Sequence, residues 1–453
     1  MRDTNLYQPF LLAVPLLLLY KPKLAIQVII GLMVVFFFTF RFTVLAQAGS
    51  VSIHNIDVVA ASLTLFVTFL LLKRERIPLT HSTFWMLLLF GWGVLGILRS
   101  LGEWGFSAIH GARIEVVPMI IFFSILFIIR SEDDVVETLR RFAIIVFVGI
   151  VLNYIAFYYL GGIANTKFYS FDTRQASRFL IAEEALPVAF LLIGLLMVTV
   201  NGQLKLNIAL IVAGLLFLLM TILGTQHRSV WIATLVGMIL VWLRMLPNHR
   251  AFLLVASLVL SSLLIVLILL LLALNGLLGG EIRSFAEVNL AFLSGVQNDA
   301  TGSWRLNIWQ QYLIETYKSP LIGHGFGPEL LIDFGSYKRR IQSHNAFVTY
   351  FYETGIIGIV ILLTALFHWF REIQYYIRTE LNPTYRMFAI GLQLSAVMSL
   401  CFGFFYRQHI LIWVILGLGS VMAYQRYLPQ KDAARAPADN LPYQTSMVHE
   451  QSI

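Results

Sequence analysis

The chain has 453 residues, of which 58% are hydrophobic and only 12% are charged, and its mean hydropathy is +0.80. A soluble domain cannot bury so large an apolar fraction, which excludes a soluble globular protein. The formal net charge of +8 does not indicate a nucleic-acid partner, because the sequence has no soluble basic domain and the cytoplasmic loops of membrane proteins are commonly rich in Lys and Arg.

Apolar segments recur along the chain at lengths close to the roughly 17–25 residues that cross a bilayer as a helix. Backbone groups in lipid must bond within the chain, so these segments predict an all-α, polytopic membrane protein with about 12 transmembrane helices. The first segment is interpreted as a helix, because no small-residue cleavage site follows it. The predicted spans are 7–20, 24–41, 55–72, 83–98, 115–129, 142–160, 185–200, 207–223, 229–247, 252–278, 346–369, 387–405 and 408–424.

The spans predict a single transmembrane domain, residues 1–424, that includes one long loop, residues 279–343. Lys and Arg of the short connections concentrate on one side, which is therefore predicted to be cytoplasmic. This orientation makes the long loop extracytoplasmic. The polar, proline-containing residues 425–453 are predicted to form a disordered cytoplasmic tail.

Part of the long loop has the spacing of an amphipathic helix, which we expect to lie on the membrane surface. Ser319-Pro320 is predicted to end this helix, and the glycines that follow are predicted to form a turn. No strand precedes these glycines, which argues against a dinucleotide site. The apolar positions of the helix are Trp304, Ile308, Trp309, Tyr312 and Leu313, and the glycines are Gly323, Gly325 and Gly327.

Two arginines stand in the first turns of predicted helices on the outer face, Arg228 and Arg305. A cation there opposes the helix dipole. It would gain from a bound anion, because the guanidinium and the free N–H groups would point at the same ligand. The alternatives are that Arg228 extends to lipid phosphates, which the residue type alone favours, and that Arg305 pairs with Asp299.

His344 lies between a basic segment and the span that begins near Ala346. A neutral imidazole can accept a proton from a hydroxyl group. The alternative, an interfacial residue near the helix cap, is favoured when this residue is considered alone. Asn345 is a candidate cap, and Glu353, about two and a half turns further on, is expected to hold a neighbouring helix.

The loop 161–184 carries more charge on the predicted outer face. Its Arg174 and Arg178 are candidate ligands for an anionic substrate. Glu183 and Glu184 follow at the start of the next span, where they could orient a sugar, pair with these arginines, or form a solvated helix start that suits the dipole. The sequence leaves these alternatives open.

Three segments, in this order, resemble the O-antigen ligase superfamily, which includes related polysaccharide polymerases. The family pattern is an outer arginine that opens a helix, an Arg-Leu-x-x-aromatic helix that ends near Ser-Pro-x-x-Gly, and His-Asn before a glutamate-glycine helix. The matching residues are Gln226-His227-Arg228, then Ser303–Trp309 with Ser319–Gly327, then His344-Asn345 with Glu353–Gly358. The resemblance covers the part of the chain between residues 223 and 360.

The resemblance implies a GT-C-like glycosyltransferase fold and an active site at the outer face of the bacterial inner membrane, towards the periplasm or cell exterior. It implies a polyprenyl-diphosphate-linked glycan as donor and a glycan or glycolipid as acceptor. Arg228 and Arg305 would hold the donor diphosphate, and His344 would activate the acceptor hydroxyl. Such enzymes are expected to need no metal, no nucleotide and no other cofactor.

Several functions remain open at this point. A ligase would transfer a finished glycan to a different acceptor, whereas a polymerase would join repeat units on the lipid carrier with the same residues. A transporter or flippase would have charges lining a path through both leaflets. In a scaffold without catalysis, Arg228, Arg305 and His344 would lie far apart.

Overall fold

The structure is a computed structural model in which the described residues are 8–35, 44–48, 51–73, 75, 78–159, 180, 182–200, 208–225, 227–245, 300–327, 329–333, 338–407 and 409–435. Most of these residues are helical, as the sequence predicts. The first elements are α1 (Gln8–Tyr20), α2 (Pro22–Val35), β1 (Val44–Ala48), β2 (Val51–His54), α3 (Asn55–Leu72), α4 (His81–Trp104), α5 (Ser107–Glu115), α6 (Met119–Ile128) and α7 (Glu132–Tyr159).

The remaining elements include the helices that build the candidate site. They are α8 (Ala182–Val200), α9 (Ile208–Gly224), α10 (Arg228–Met245), α11 (Ala300–Thr316), β3 (Leu331–Asp333), β4 (Lys338–Arg340), α12 (Ala346–Thr379), α13 (Pro383–Phe405) and α14 (Leu411–Arg435). The four strands form two antiparallel pairs, β1 with β2 and β3 with β4. These strands are short and lie outside the apolar spans, so the described residues remain mostly helical, as the all-α prediction states.

Several described helices have the length and composition needed to cross a bilayer, so the chain is a multi-pass membrane protein. Five meet both requirements: Asn55–Leu72, His81–Trp104, Ala182–Thr199, Ala346–Thr379 and Pro383–Phe405. The total of about 12 spans stays a prediction. The predicted span 252–278 lies outside the described residues.

Two predicted boundaries differ from the structure. The span predicted over 115–129 contains the short helix α6, which has Pro118 at its N-cap and side chains that are almost all buried among its neighbours. Helix α14 continues to Arg435, so residues 425–435 of the predicted disordered tail are helical. The rest of that tail, and the predicted single-domain organisation, are not decided by the described residues.

Helices α10 and α13 run antiparallel, which places the start of one beside the end of the other. Near the end of α10, Arg244 hydrogen-bonds to Gln393 of α13. Further back along α10, Gly237 packs against Met398, which lies closer to the end of α13. The first turn of α10 therefore lies at the end of the bundle where α13 finishes.

Helix α11 lies in the predicted long loop and packs one side against its neighbours. Ile308 and Tyr312 form a small buried core with Ile332 of β3 and with Ile341, which follows β4. The predicted helix and its stop before Ser319-Pro320 are confirmed. Its predicted position on the membrane surface stays a prediction.

Helix α12 is interrupted at Gly355, whose φ of 67° and ψ of −170° are not helical. The interruption leaves helical hydrogen bonds unmade, and the turn after α11 replaces them. The amides of His324 and Gly325 donate to the carbonyls of Tyr352 and Glu353, both at 2.8 Å. On the other side of the break, the amides of Ile356 and Ile357 donate to the carbonyls of Pro320 and Leu321, at 2.9 and 3.2 Å.

Replacing Gly355 with alanine should destabilise the protein. The backbone conformation is one that glycine alone adopts readily, and a Cβ atom would collide with the Leu321 carbonyl. We expect a loss of at least about 2 kcal/mol, seen as a lower thermal unfolding midpoint in detergent.

Gly91→Ala is the matched control, since Gly91 is helical and a Cβ there would meet no atom within 4 Å. Its stability should be unchanged or raised by up to about 1 kcal/mol. Equal midpoints for the two variants would contradict the role assigned to the break.

Candidate functional site

The candidate site lies where α11 and α12 begin and α13 ends. Asn345 is the N-cap of α12, as predicted, because its side-chain oxygen accepts hydrogen bonds from the amides of Phe347 and Val348 at 3.0 and 3.2 Å. His344 precedes this cap and leaves the capping to Asn345. The imidazole is therefore not needed to begin the helix.

The segment before His344 is held in place by α11. Trp309 donates from its indole nitrogen to the Ser343 carbonyl at 2.7 Å, and the Tyr312 hydroxyl donates to the Ile341 carbonyl at 2.9 Å. His344 has a φ of 53°, in the left-handed region that residues other than glycine rarely occupy. Because such a conformation is costly, it persists where the surroundings enforce it, and it is often found at functional sites.

The His344 ring contacts two aromatic side chains. Its centroid is 5.4 Å from the nearest ring of Trp304 and 5.6 Å from that of Tyr406. The Nδ1 atom is buried and has no hydrogen-bond partner within the described part of the chain. Burial, followed by the positive charge of Arg305, lowers the pKa of His344 to about 4, so the imidazole is neutral near pH 7.

Arg305 is brought next to His344 by the first turns of α11. Its Nη1 atom donates to the carbonyl of Phe405, the last residue of α13, at 3.1 Å. This bond orients the guanidinium close enough to His344 to lower the pKa of the imidazole. The alternative partner considered from the sequence, Asp299, lies outside the described residues.

Of the other three arginines predicted for the site, the structure describes the position of one. Arg228 is the first residue of α10, and the antiparallel packing of α10 and α13 places it at the same end of the bundle as Phe405. Arg174 and Arg178 lie outside the described residues. The roles predicted for all three stay predictions.

The segment after α13 also contributes to the site, although no sequence motif indicates it. Arg407 forms an ion pair with Glu183 of α8, and the Glu183 side chain is only 2% exposed. The Arg407 guanidinium also lies 5.4 Å from the centroid of the Tyr406 ring, which contacts His344. Glu183 is therefore not a solvated helix start. No local sequence pattern links Arg407 to Glu183, because the two residues are far apart in the chain.

His409 also holds the segment after α13 in place. Its Nε2–H donates to the Glu183 carbonyl at 2.7 Å, while its Nδ1 accepts from the Leu411 amide at 3.1 Å. One nitrogen donates and the other accepts, which identifies the neutral form with the proton on Nε2. His409 thus has a structural role that joins α8 to the start of α14.

The glycine turn does not form a phosphate cradle. The amides of Gly323, His324 and Gly325 all donate to backbone carbonyls, of Ser319, Tyr352 and Glu353 respectively. A Cβ on Gly323 would lie 2.5 Å from the Glu353 carbonyl oxygen. These glycines therefore allow close packing against the break in α12.

The buried carboxyl of Glu353 itself has an Oε2 atom without a hydrogen-bond partner in the described chain, so the helix-holding role expected of its side chain stays a prediction.

Comparison with known protein families finds a match to part of the chain. Residues 213–363 match the family model described as O-antigen ligase. This part of the chain is similar to an O-antigen ligase domain. This domain includes Arg228, Arg305 and His344, whereas Glu183 and the Tyr406-Arg407 segment lie outside the matched residues. A search of curated proteins finds no match.

The domain confirms the resemblance inferred from the sequence. It also indicates a membrane enzyme of the O-antigen ligase or polymerase type, with a glycosyltransferase-like activity. The same family implies lipid-linked glycan substrates in a bilayer. The structure adds that His344, the predicted base, and Arg305, a predicted ligand of the diphosphate, are neighbours in space.

Breaking the ion pair between Glu183 and Arg407 should weaken the fold around the O-antigen ligase domain. Glu183→Gln would leave the Arg407 charge, only 18% exposed, without its carboxylate. We expect a cost of about 3–5 kcal/mol, measured by thermal unfolding in detergent.

Glu137→Gln serves as the control, because the Glu137–Arg141 pair is 52% and 46% exposed. An exposed pair of this kind contributes about 0–1 kcal/mol. A Glu183→Gln variant as stable as Glu137→Gln would show that the buried pair does not join α8 to the site.

Proposed function

We propose that this protein is a membrane glycosyltransferase of the O-antigen ligase type, which moves a glycan from a polyprenyl-diphosphate carrier to an acceptor hydroxyl. The observation that supports this proposal most is the pairing of a buried, neutral imidazole with a permanent cation. His344 and Arg305 are neighbours, and burial and the Arg305 charge keep His344 deprotonated. A base beside an anion-binding group is what displacement of a diphosphate requires.

In the proposed reaction, His344 is the general base. The acceptor oxygen attacks the anomeric carbon while its proton passes to the imidazole. The buried Nδ1 atom of His344, which has no partner among the described residues, is the suggested proton acceptor. Trp304 and Tyr406, which both contact the ring, would limit its rotation and exclude water.

Arg305 and Arg228 are proposed to bind the donor diphosphate. As the bond between the anomeric carbon and the phosphate oxygen breaks, its electron pair leaves with the diphosphate, whose negative charge grows. A guanidinium has five N–H donors in a fixed plane that suits phosphate oxygens. The bond from Arg305 to the Phe405 carbonyl sets the direction of that plane. Stabilisation of this developing charge would be the largest catalytic contribution.

The proposed site acts at the outer face of the bacterial inner membrane, which is the side predicted from the distribution of Lys and Arg. A lipid diphosphate is already a good leaving group, so the reaction needs no nucleotide and, on this proposal, no metal. Direct displacement predicts inversion at the anomeric carbon. Arg174 and Arg178 of the predicted outer loop are proposed as further contacts for an anionic substrate.

A repeat-unit polymerase of the same superfamily is the second candidate. Both reactions would use Arg228, Arg305 and His344, and they differ in the acceptor. Polymer that remains on polyprenyl diphosphate would indicate a polymerase, whereas glycan on a new acceptor would indicate a ligase. A transporter or flippase is less well supported, because its coupling charges would line a path through both leaflets, whereas Arg305 and His344 lie together at one end of the bundle.

Alanine in place of His344 or Arg305 should leave a folded protein that has lost glycan transfer. We expect rates lower by about 10²–10⁴-fold for His344→Ala and about 10²–10³-fold for Arg305→Ala. Arg305→Lys should recover only part of the activity, because it keeps the charge but loses the planar fork. Transfer is measured with purified protein and a polyprenyl-diphosphate-linked glycan.

Lys318→Gln is the matched control, because Lys318 is an exposed cation near the end of α11 and pairs with Glu315. Its transfer rate should equal that of the wild type. Wild-type activity in either His344→Ala or Arg305→Ala would refute the role assigned to that residue.

The pH dependence of the reaction should reflect the low pKa of His344. Because the base must be neutral, kcat/KM should stay constant as the pH falls through 6.5, the ordinary imidazole value, and should decline only near pH 4. Arg305→Gln should move this decline to higher pH, since it removes a charge that lowers the pKa.

The same shift affects stability, with a defined sign. The unfolded chain binds a proton at His344 between pH 6.5 and about 4 and the folded chain does not, so stability from this group is lost as the pH falls through that range. A wild-type kcat/KM profile with its acid midpoint near 6.5 would contradict a buried, neutral His344 as the base.

A further inference from the structure

An apolar cavity lies between α7, α8, α13 and α14, separate from the residues around His344. Its volume is about 290 Å³. On α8 its wall extends from Phe190 to Val198, about 12 Å along the helix axis. Leu411 of α14 lies at one end, next to the His409–Glu183 contact, and Arg140 of α7 lines the other. The cavity therefore runs along the bundle away from the candidate site.

Two glycines create much of this space. Gly194 of α8 and Gly391 of α13 both line the cavity, and a Cβ atom at either position would meet no atom within 4 Å. A helical glycine is usually explained by close packing, as at Gly237, where a Cβ would press against Met398. Neither Gly194 nor Gly391 has such a neighbour, although glycine weakens a helix relative to alanine. Both glycines therefore widen the cavity, because neither has a Cβ atom in it.

The polar rim of the cavity carries a positive charge. Arg140 is exposed and has no ion pair or hydrogen bond among the described residues. Other cations at this end of α7 have acidic partners: Arg141 pairs with Glu137, and Lys23 pairs with Asp134. The hydroxyl of Thr138, two residues before Arg140, is also buried in the cavity wall without a hydrogen-bond partner.

Arg140 belongs to the end of the bundle opposite His344. Helix α12 begins beside His344, and near its other end the Tyr376 hydroxyl donates to Glu132, in the first turn of α7, at 2.6 Å. Side chains on a helix point towards its N-terminus, so the Arg140 guanidinium reaches back towards that same end. It is thus placed at the membrane surface opposite the candidate site.

From these features we propose that the cavity binds an anionic phospholipid of the leaflet opposite the candidate site, with an acyl chain between Gly194 and Gly391 and the headgroup phosphate at Arg140. The charge at the rim selects the occupant. Because lipid tails are as apolar as the cavity wall, an acyl chain alone gains little over the surrounding bilayer. A basic side chain between transmembrane helices is the feature that recognises an anionic headgroup.

The proposal can be tested by counting retained lipids. Purified protein in detergent is titrated with dioleoyl phosphatidylglycerol or with dioleoyl phosphatidylcholine, and bound lipid is measured by native mass spectrometry. The wild type should retain phosphatidylglycerol in preference to phosphatidylcholine. Arg140→Gln should weaken phosphatidylglycerol binding about fivefold. Arg378→Gln, which removes an exposed charge on α12 away from the cavity, should bind like the wild type.

Filling the cavity provides a second, independent test. Gly194→Leu should abolish lipid retention while the thermal unfolding midpoint stays the same or rises, because leucine enters open space and favours a helix. Gly391→Leu, on the facing helix, should have the same effect. The test therefore remains valid if one of the two variants fails to fold.

Three outcomes would overturn the proposal. One is an equal loss of binding in Arg140→Gln and Arg378→Gln, which would indicate general surface charge. Another is wild-type retention in both folded leucine variants. The third is displacement of phosphatidylglycerol by an equal concentration of undecaprenyl phosphate, which would assign the cavity to an isoprenoid chain.

Discussion

The need to satisfy backbone hydrogen bonds at the break in α12 governs the arrangement of the site. In apolar surroundings an unbonded amide or carbonyl is costly, so a helix can stop and restart only where other groups replace its hydrogen bonds. The turn after α11 supplies both donors and acceptors to the residues around Gly355. This exchange fastens the end of α11 to α12. Trp309 and Tyr312 of α11 then hold the segment that precedes His344.

The properties of His344 follow from this attachment. Held against Trp304 and Tyr406, the imidazole is removed from water, and Arg305 adds a positive charge beside it. Both effects disfavour protonation, so they lower the pKa and keep the ring able to accept a proton. The same Arg305 would stabilise an anion. One pair of residues can therefore serve both the acceptor hydroxyl and the leaving diphosphate in the proposed reaction.

The two ends of the bundle differ in whether their arginines have acidic partners. At the end near His344, Arg407 is neutralised by the buried carboxylate of Glu183, so it supports the Tyr406 ring and is not proposed to bind substrate. At the opposite end, Arg141 of α7 and Lys23 of α2 have acidic partners, whereas Arg140 has no ion pair among the described residues. A cation at the rim of an apolar cavity is explained if a lipid binds there, because its headgroup would pair with Arg140 and its acyl chain would contact the cavity wall.

The sequence by itself determined the membrane class, most helix positions, the helix stop at Ser319-Pro320 and the cap at Asn345, because these depend on local hydropathy, spacing and backbone preferences. The sequence also identified the O-antigen ligase pattern, because that pattern consists of three short motifs in a fixed order along the chain. Tertiary structure alone decided that Arg305 adjoins His344, that Glu183 pairs with Arg407, and that Gly194 and Gly391 open onto one cavity. These contacts join residues far apart in the chain, and no local pattern specifies which helix faces which.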